Sequence, residues 1–118
     1  MIKGLRGSTI FSEDLNNLLP FYRDTVGLKV GLETPAFVVM GGADEPTLAL
    51  GTHSEIHGPA REPARHIVAF ETDDIAAEHA RLKGAGVTFL EEPVDGGTVM
   101  FATFRDPEGN LVQLLQFK

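Results

Sequence analysis

Four histidines, 17 acidic side chains and no cysteine set the chemistry open to this chain of 118 residues. Imidazole is a good ligand for zinc, nickel or copper, and His53, His57 and His66 lie close enough in sequence to be weighed as one metal site. The spacing His53-x-x-x-His57 helps only on a helix, and the Gly58-Pro59 step beside it indicates a loop, so these rings read as solvated loop groups. His79 stands among Glu78, Arg81 and Lys83 and is assigned to a solvent face. Glu71 is the one carboxylate on a pocket-facing strand pattern, and it is the candidate general base if desolvation raises its pKa. Ser8, Ser12 and Ser54 have no nucleophile-elbow context, and no glycine-rich phosphate loop of the required spacing occurs. The lack of cysteine removes disulfides, thiolate metal sites and a cysteine nucleophile. Arg61 and Arg65 could steer an anionic ligand, although charged linkers are ordinarily just soluble.

The elements that must position these groups occur twice. Thr9-Ile10-Phe11-Ser12-Glu13-Asp14-Leu15 is matched sixty positions later by Ala69-Phe70-Glu71-Thr72-Asp73-Asp74-Ile75. Each copy leads through a helix-like stretch to glycine and a new apolar run, as tandem copies of one supersecondary unit would. In the first copy, Leu5 to Phe11 reads as a strand and Asp14 as a helix cap. Leu15, Leu18, Leu19, Tyr22 and Val26 give the following segment one apolar face before Gly27. Pro20 leaves two forms open: a separate first turn with the main helix starting near Pro20, or a kink there. Leu28 to Leu32, Ala36 to Met40 and Thr47 to Gly51 read as strands, divided by Pro35 and the turn Gly41 to Pro46. In the second copy, the reading is a strand His66 to Thr72, a helix Ile75 to Lys83 capped by Asp74, and strands Val87 to Leu90, Thr98 to Phe104 and Leu111 to Phe117. Asp106 to Asn110 forms the last hairpin turn. Strand, helix and three strands, twice over, is an α+β fold of two tandem βαβββ modules. The sheets are expected to be curved and mostly antiparallel around a cleft, with the helices outside.

Size and an apolar share of 42% suit one domain over 1–118, with module one at 1–52, a linker at 53–64 and module two at 65–118. A formal charge of −7 opposes binding to nucleic acid or to an anionic membrane. No apolar run approaches the ~20 residues needed to cross a bilayer. The start Met1 to Arg6 lacks a signal-peptide core, so a soluble, cytoplasmic protein is expected.

Asp14-Leu15, Phe21-Tyr22-Arg23-Asp24 and Gly27, with the closing Phe104-Arg105-Asp106-Pro107-Glu108-Gly109-Asn110-Leu111-Val112-Gln113-Leu114, resemble the vicinal oxygen chelate superfamily. That group holds glyoxalases, bleomycin-resistance proteins and extradiol dioxygenases, so the resemblance implies a fold and not one activity. Catalytic members hold a divalent metal with four side chains, drawn from both halves. The first of these positions, seven residues before Asp14, is Gly7, and its symmetric counterpart before Asp74 is Ile67. The last, seven residues after Asp106, is Gln113, and the remaining one falls near Ala49, within a residue or two. His66 sits one step from Ile67, which on a strand turns it to the side of Val68 and Phe70, unless a bulge turns it back. His66 with Gln113 is the weak set that remains if a metal such as zinc, nickel, iron or manganese is held at all.

A cavity lined by apolar and neutral polar groups is then expected, from Thr9, Phe37, Leu48, Leu50, Ile67, Met100, Ala102 and Gln113. Such a lining favours flat or apolar ligands, with Gln113 as the directional donor and acceptor. The favoured function is a metal-free member that binds or sequesters a small molecule, in the manner of the bleomycin-resistance branch. Two alternatives are a metal-dependent lyase or dioxygenase with displaced ligands, and a structural or regulatory subunit with a closed cavity. The resemblance also implies a homodimer, sometimes formed by exchange of halves.

Overall fold

The computed structural model describes every residue except Ala43, so the expected turn Gly41 to Pro46 lies partly outside the described residues. The chain divides into two compact units, Met1–Gly58 and Pro59–Lys118.

In the first unit, β1 (Gly7–Ser12), β2 (Val30–Glu33), β3 (Phe37–Met40) and β4 (Thr47–Thr52) form a sheet of order β1-β4-β3-β2. The β1–β4 pair is parallel and the other two are antiparallel. Pro20 acts through the first of its two open forms. Leu15–Asn17 is a separate 3-10 turn whose cap, Asp14, accepts a hydrogen bond from the Asn16 N–H at 2.9 Å. A second helical segment with π-type bonding, Phe21–Val26, then starts from Pro20, where a missing N–H costs nothing. It stops at Gly27, whose φ of +95° is the left-handed conformation only glycine adopts cheaply. Leu15, Leu18, Leu19 and Tyr22 are buried, as are Ile10, Val38, Met40, Leu48 and Leu50 of the sheet. Full burial of each such large side chain is worth about 2 kcal/mol.

The second unit repeats the plan. Its sheet has the order β5-β8-β7-β6, from β5 (Val68–Glu71), β6 (Val94–Asp95), β7 (Val99–Arg105) and β8 (Leu111–Phe117), with β5 and β8 parallel. Here the helix is one continuous piece, α1 (Ile75–Gly84), and the Asp74 carboxylate accepts from the Ala77 N–H at 3.0 Å. Helix α1 packs on β7 and β8 through buried Ile75, His79 and Leu82, and the Gln116 side chain, on that same face of the sheet, accepts from the Ile75 N–H at 2.8 Å.

Three expectations are corrected. Val87 to Leu90 is not a strand: it makes a single bridge, Phe89 to Phe104, and the edge strand of two residues comes later at Val94–Asp95. The run Gly84-Ala85-Gly86 ends the helix, and Thr88 to Leu90 touch the β7 residues Thr103 to Arg105 through two backbone hydrogen bonds without extending into a strand. Strand β2 begins at Val30, two residues later than the apolar run suggested. His79 is 7% exposed and not on a solvent face, with its ring 4.4 Å from that of Phe89 and Nε2 3.6 Å from a Glu92 carboxylate oxygen.

Candidate functional site

Strand alternation gives each sheet one face turned to its own helical layer and one turned away. In the first unit, the face turned away is built from rows of paired residues. Gly7 is opposite Thr47, Thr9 is opposite Ala49, which is opposite Val39, and Phe11 is opposite Gly51, which is opposite Phe37. A cavity of about 290 Å³ lies on this face, lined by Arg6, Gly7, Ser8, Thr9, Phe37, Val39, Thr47 and Ala49. Its floor is hydrocarbon, its sides carry the hydroxyl-bearing Ser8, Thr9 and Thr47, and Arg6 is its one charged residue.

Thr9 and Phe37, two of the residues expected to line a cavity, are on the wall of this one. Leu48 and Leu50 do not: at 4% and 0% exposed, they point to the helical layer, and Ala49 between them takes the cavity slot. In Leu48-Ala49-Leu50, both faces are apolar, so hydrophobicity alone cannot phase the strand. The register to Thr9 fixes it.

The second unit offers a different surface. Ala69 pairs with Gln113 and Gln113 with Thr103, while Glu71 pairs with Leu115 and Leu115 with Phe101. These side chains share the face away from α1. Met100 and Ala102 are corrected to the opposite face, since they lie one step out of phase with Phe101 and Thr103, and Ala102 is fully buried with Phe104 and Leu114. Ile67 precedes β5, half-buried, in phase with Ala69. Glu71 is exposed at the end of β5. Gln113 is half-buried, and its amide nitrogen donates to the Thr103 hydroxyl at 3.1 Å.

The residues at the metal positions do not fit a divalent ion. A Cβ on Gly7 would collide with the backbone carbonyl of Thr47, so no ligating side chain fits there without moving the β1–β4 pair. Ala49 and Ile67 are hydrocarbon, and Gln113 brings a neutral amide where a carboxylate would bring charge. His66 is exposed, at the end of the 3-10 turn Pro63–Arg65. Of the loop histidines, His53 accepts the Glu55 N–H on Nδ1 at 3.1 Å, and His57 lies 3.5 Å from Glu13. Among the described residues, no group of three His, Asp or Glu side chains is arranged to hold a metal.

Sequence reasoning did not single out Arg6, Val39, Phe11 or Gly51. A Cβ on Gly51 would stand 2.9 Å from the Phe11 ring and 3.0 Å from the Phe37 ring, so the glycine makes room for a phenyl group from each neighbouring strand. Phe11 in turn lies edge-on to His53 at 5.4 Å. The signal for the close approach was present as glycine inside a strand pattern.

The sheet orders, the paired Asp14 and Asp74 caps and the closing Asp106 turn define an α+β fold of two βαβββ modules. The chain belongs to the glyoxalase/bleomycin resistance protein/dioxygenase superfamily, whose family model matches residues 7–114. It is 31% identical over 121 residues to the uncharacterized protein YurT of Bacillus subtilis, covering 92% of this chain and 95% of that one. The crystal structure of TnmS3, an antibiotic binding protein from Streptomyces sp. CB03234, superposes with a TM-score of 0.80 at 23% identity, covering 99% of this chain and 98% of that one. UcmS2 gives a TM-score of 0.75 at 25% identity, with 98% of each chain covered. No helix is long and apolar enough to cross a membrane among the described residues.

Proposed function

We propose that the protein binds and sequesters a small, flat, largely apolar molecule without a metal, and that the cavity of the first unit holds it. The observation that carries this reading is the pairing of that cavity with Gly7: the surface offers contact area, and the position where relatives place a metal ligand is closed by the Thr47 carbonyl. Contact with Val39, Ala49 and Phe37 supplies affinity, and the Thr9 and Thr47 hydroxyls supply direction. TnmS3, described as antibiotic binding, shares the fold and supports a binding role over a catalytic one. We further read the protein as a homodimer, because edge strands β2 and β6 leave Leu32 and Val94 exposed.

Melting of EDTA-treated protein with and without 2-naphthamide, a neutral two-ring arene, tests the reading. Ligand that binds only the folded state raises the midpoint. The expected result is a rise that grows with ligand concentration and is indifferent to added metal. Stoichiometric nickel, zinc, iron or manganese in protein purified without chelator, with no rise in the stripped form, favours the metal-dependent lyase or dioxygenase. Light scattering during gel filtration reads the dimer directly.

A further inference from the structure

The cavity has two chemically different ends. At one, the Phe37 wall leads into the row Phe11, Gly51 and Phe37, where two exposed rings stand over the glycine. At the other, beside the row Gly7 and Thr47, stands Arg6. The rows of Gly7 and Phe11 are four strand residues apart, about 13 Å, and the Arg6 side chain and the two phenyl rings occupy part of that span.

Arg6 has no carboxylate partner among the described residues. Its guanidinium makes one long bond, Nη1 donating to the backbone carbonyl of Glu45 at 3.4 Å. The Glu45 carboxylate is turned toward the turn instead, with Oε1 3.9 Å from where a Cβ would stand on Gly41 or Gly42. Arg23 pairs with Asp24, Arg65 with Glu62 and Arg81 with Glu78; what sets Arg6 apart from Arg61 and Arg105, which also make no ion pair among the described residues, is its place on the cavity. In a chain of net charge −7, a cation left without a carboxylate at the rim of an apolar cavity has its planar donors available to an incoming anion. The distributed negative charge opposes this only weakly beyond the ~8 Å Debye length at physiological salt.

Resting on the proposed binding role, we infer that the cavity selects aromatic acids: an arene carboxylate or phenolate whose rings lie against Phe37 and Phe11 and whose anionic oxygen pairs with Arg6. The ring end supplies affinity common to any arene. The arginine end supplies the preference for the acid.

Titration of 2-naphthoate and 2-naphthamide into wild type, Arg6→Gln and Gly51→Val, read by naphthalene fluorescence, tests this; the chain has no tryptophan to interfere. Wild type is expected to bind the acid about tenfold more tightly than the amide, matching roughly 1.4 kcal/mol for one charge-assisted contact. Arg6→Gln brings the ratio of acid to amide affinity from about tenfold to about one, and raised salt weakens the acid more than the amide. Gly51→Val weakens both ligands, because the added methyl groups push the two rings apart, and circular dichroism confirms that the variant is folded. Equal binding of acid and amide to wild type, or an unchanged preference in Arg6→Gln, overturns the inference and leaves the binding role standing. Binding of neither ligand overturns both.

Discussion

The two modules hold equivalent positions with opposite chemistry. Thr9, Ala49 and Val39 in the first correspond to Ala69, Gln113 and Thr103 in the second, counted from the capping aspartates Asp14 and Asp74. In the first module, that row is the floor of a cavity. In the second, the amide of Gln113 is already committed to Thr103. The next row shows the same divergence: Phe11, Gly51 and Phe37 form an exposed aromatic patch, against Glu71, Leu115 and Phe101. What the duplication preserves is the frame, namely the caps, the parallel first pair and the strand order. What it leaves free is the face away from the helical layer, where side chains are not held by packing against that layer.

The sharpest way to break this comparison is to put the family's histidine back at the two symmetric positions. Gly7→His is expected to cost about 3 kcal/mol, because overpacking must displace the Thr47 backbone. Ile67→His, at a half-buried position outside β5, is expected to cost about 1 kcal/mol. Urea unfolding measures both, and neither variant should gain stoichiometric zinc. A stable, zinc-loaded Gly7→His would show that the slot is open.

The caps give a smaller contrast. Asp74 starts a helix of 10 residues and Asp14 a turn of three. Asp74→Ala should cost about 1 kcal/mol and Asp14→Ala about half that, since less structure depends on the shorter turn. Equal losses in urea would mean that the caps serve the turns before them more than the helices after them.

Acid produces the smallest effect. The Lys118 ammonium and the Gly97 N–H hold the Asp95 carboxyl below its usual range, and the bond from Arg23 does the same for Asp24. A lowered folded pKa means the stabilisation is complete above the unfolded value, about 3.9, and is lost as pH falls through the folded value. Both groups are exposed, so Asp24→Asn and Asp95→Asn should each flatten the acid limb slightly and by similar amounts, seen in urea midpoints at pH 6 and pH 3. A large effect from either one would reveal a burial that the structure does not show.

The frame was legible because it rests on local chemistry. Asp14, Asp74, Gly27 and the Asp106 turn each act within a few residues. Their burial and bonds follow from sequence order: Asp106 is 5% exposed and accepts from the backbone N–H groups of Glu108 and Asn110 at 2.9 and 3.0 Å. The faces were harder. Leu48-Ala49-Leu50 and Met100 to Phe104 are apolar on both sides, so their phase is set by partners far along the chain. His79 was misplaced by its polar neighbours, although Ile75, His79 and Leu82 share one helical stripe that could have found it. The π-type bonding after Pro20 and the late edge strand at Val94 depend on packing and turn length, for which the residues carry no local mark. Arg6 escaped notice because its lack of a carboxylate partner is a fact of three dimensions.

Chemical-shift mapping by proton–nitrogen NMR, with 2-naphthoate added to protein held in EDTA, tests the central claim most directly. The account predicts saturable shifts centred on Thr9, Phe37, Val39 and Ala49, with the Gln113 region unmoved and no change on adding zinc. Shifts that require the metal, or that gather at His66 and Gln113 instead, would contradict it.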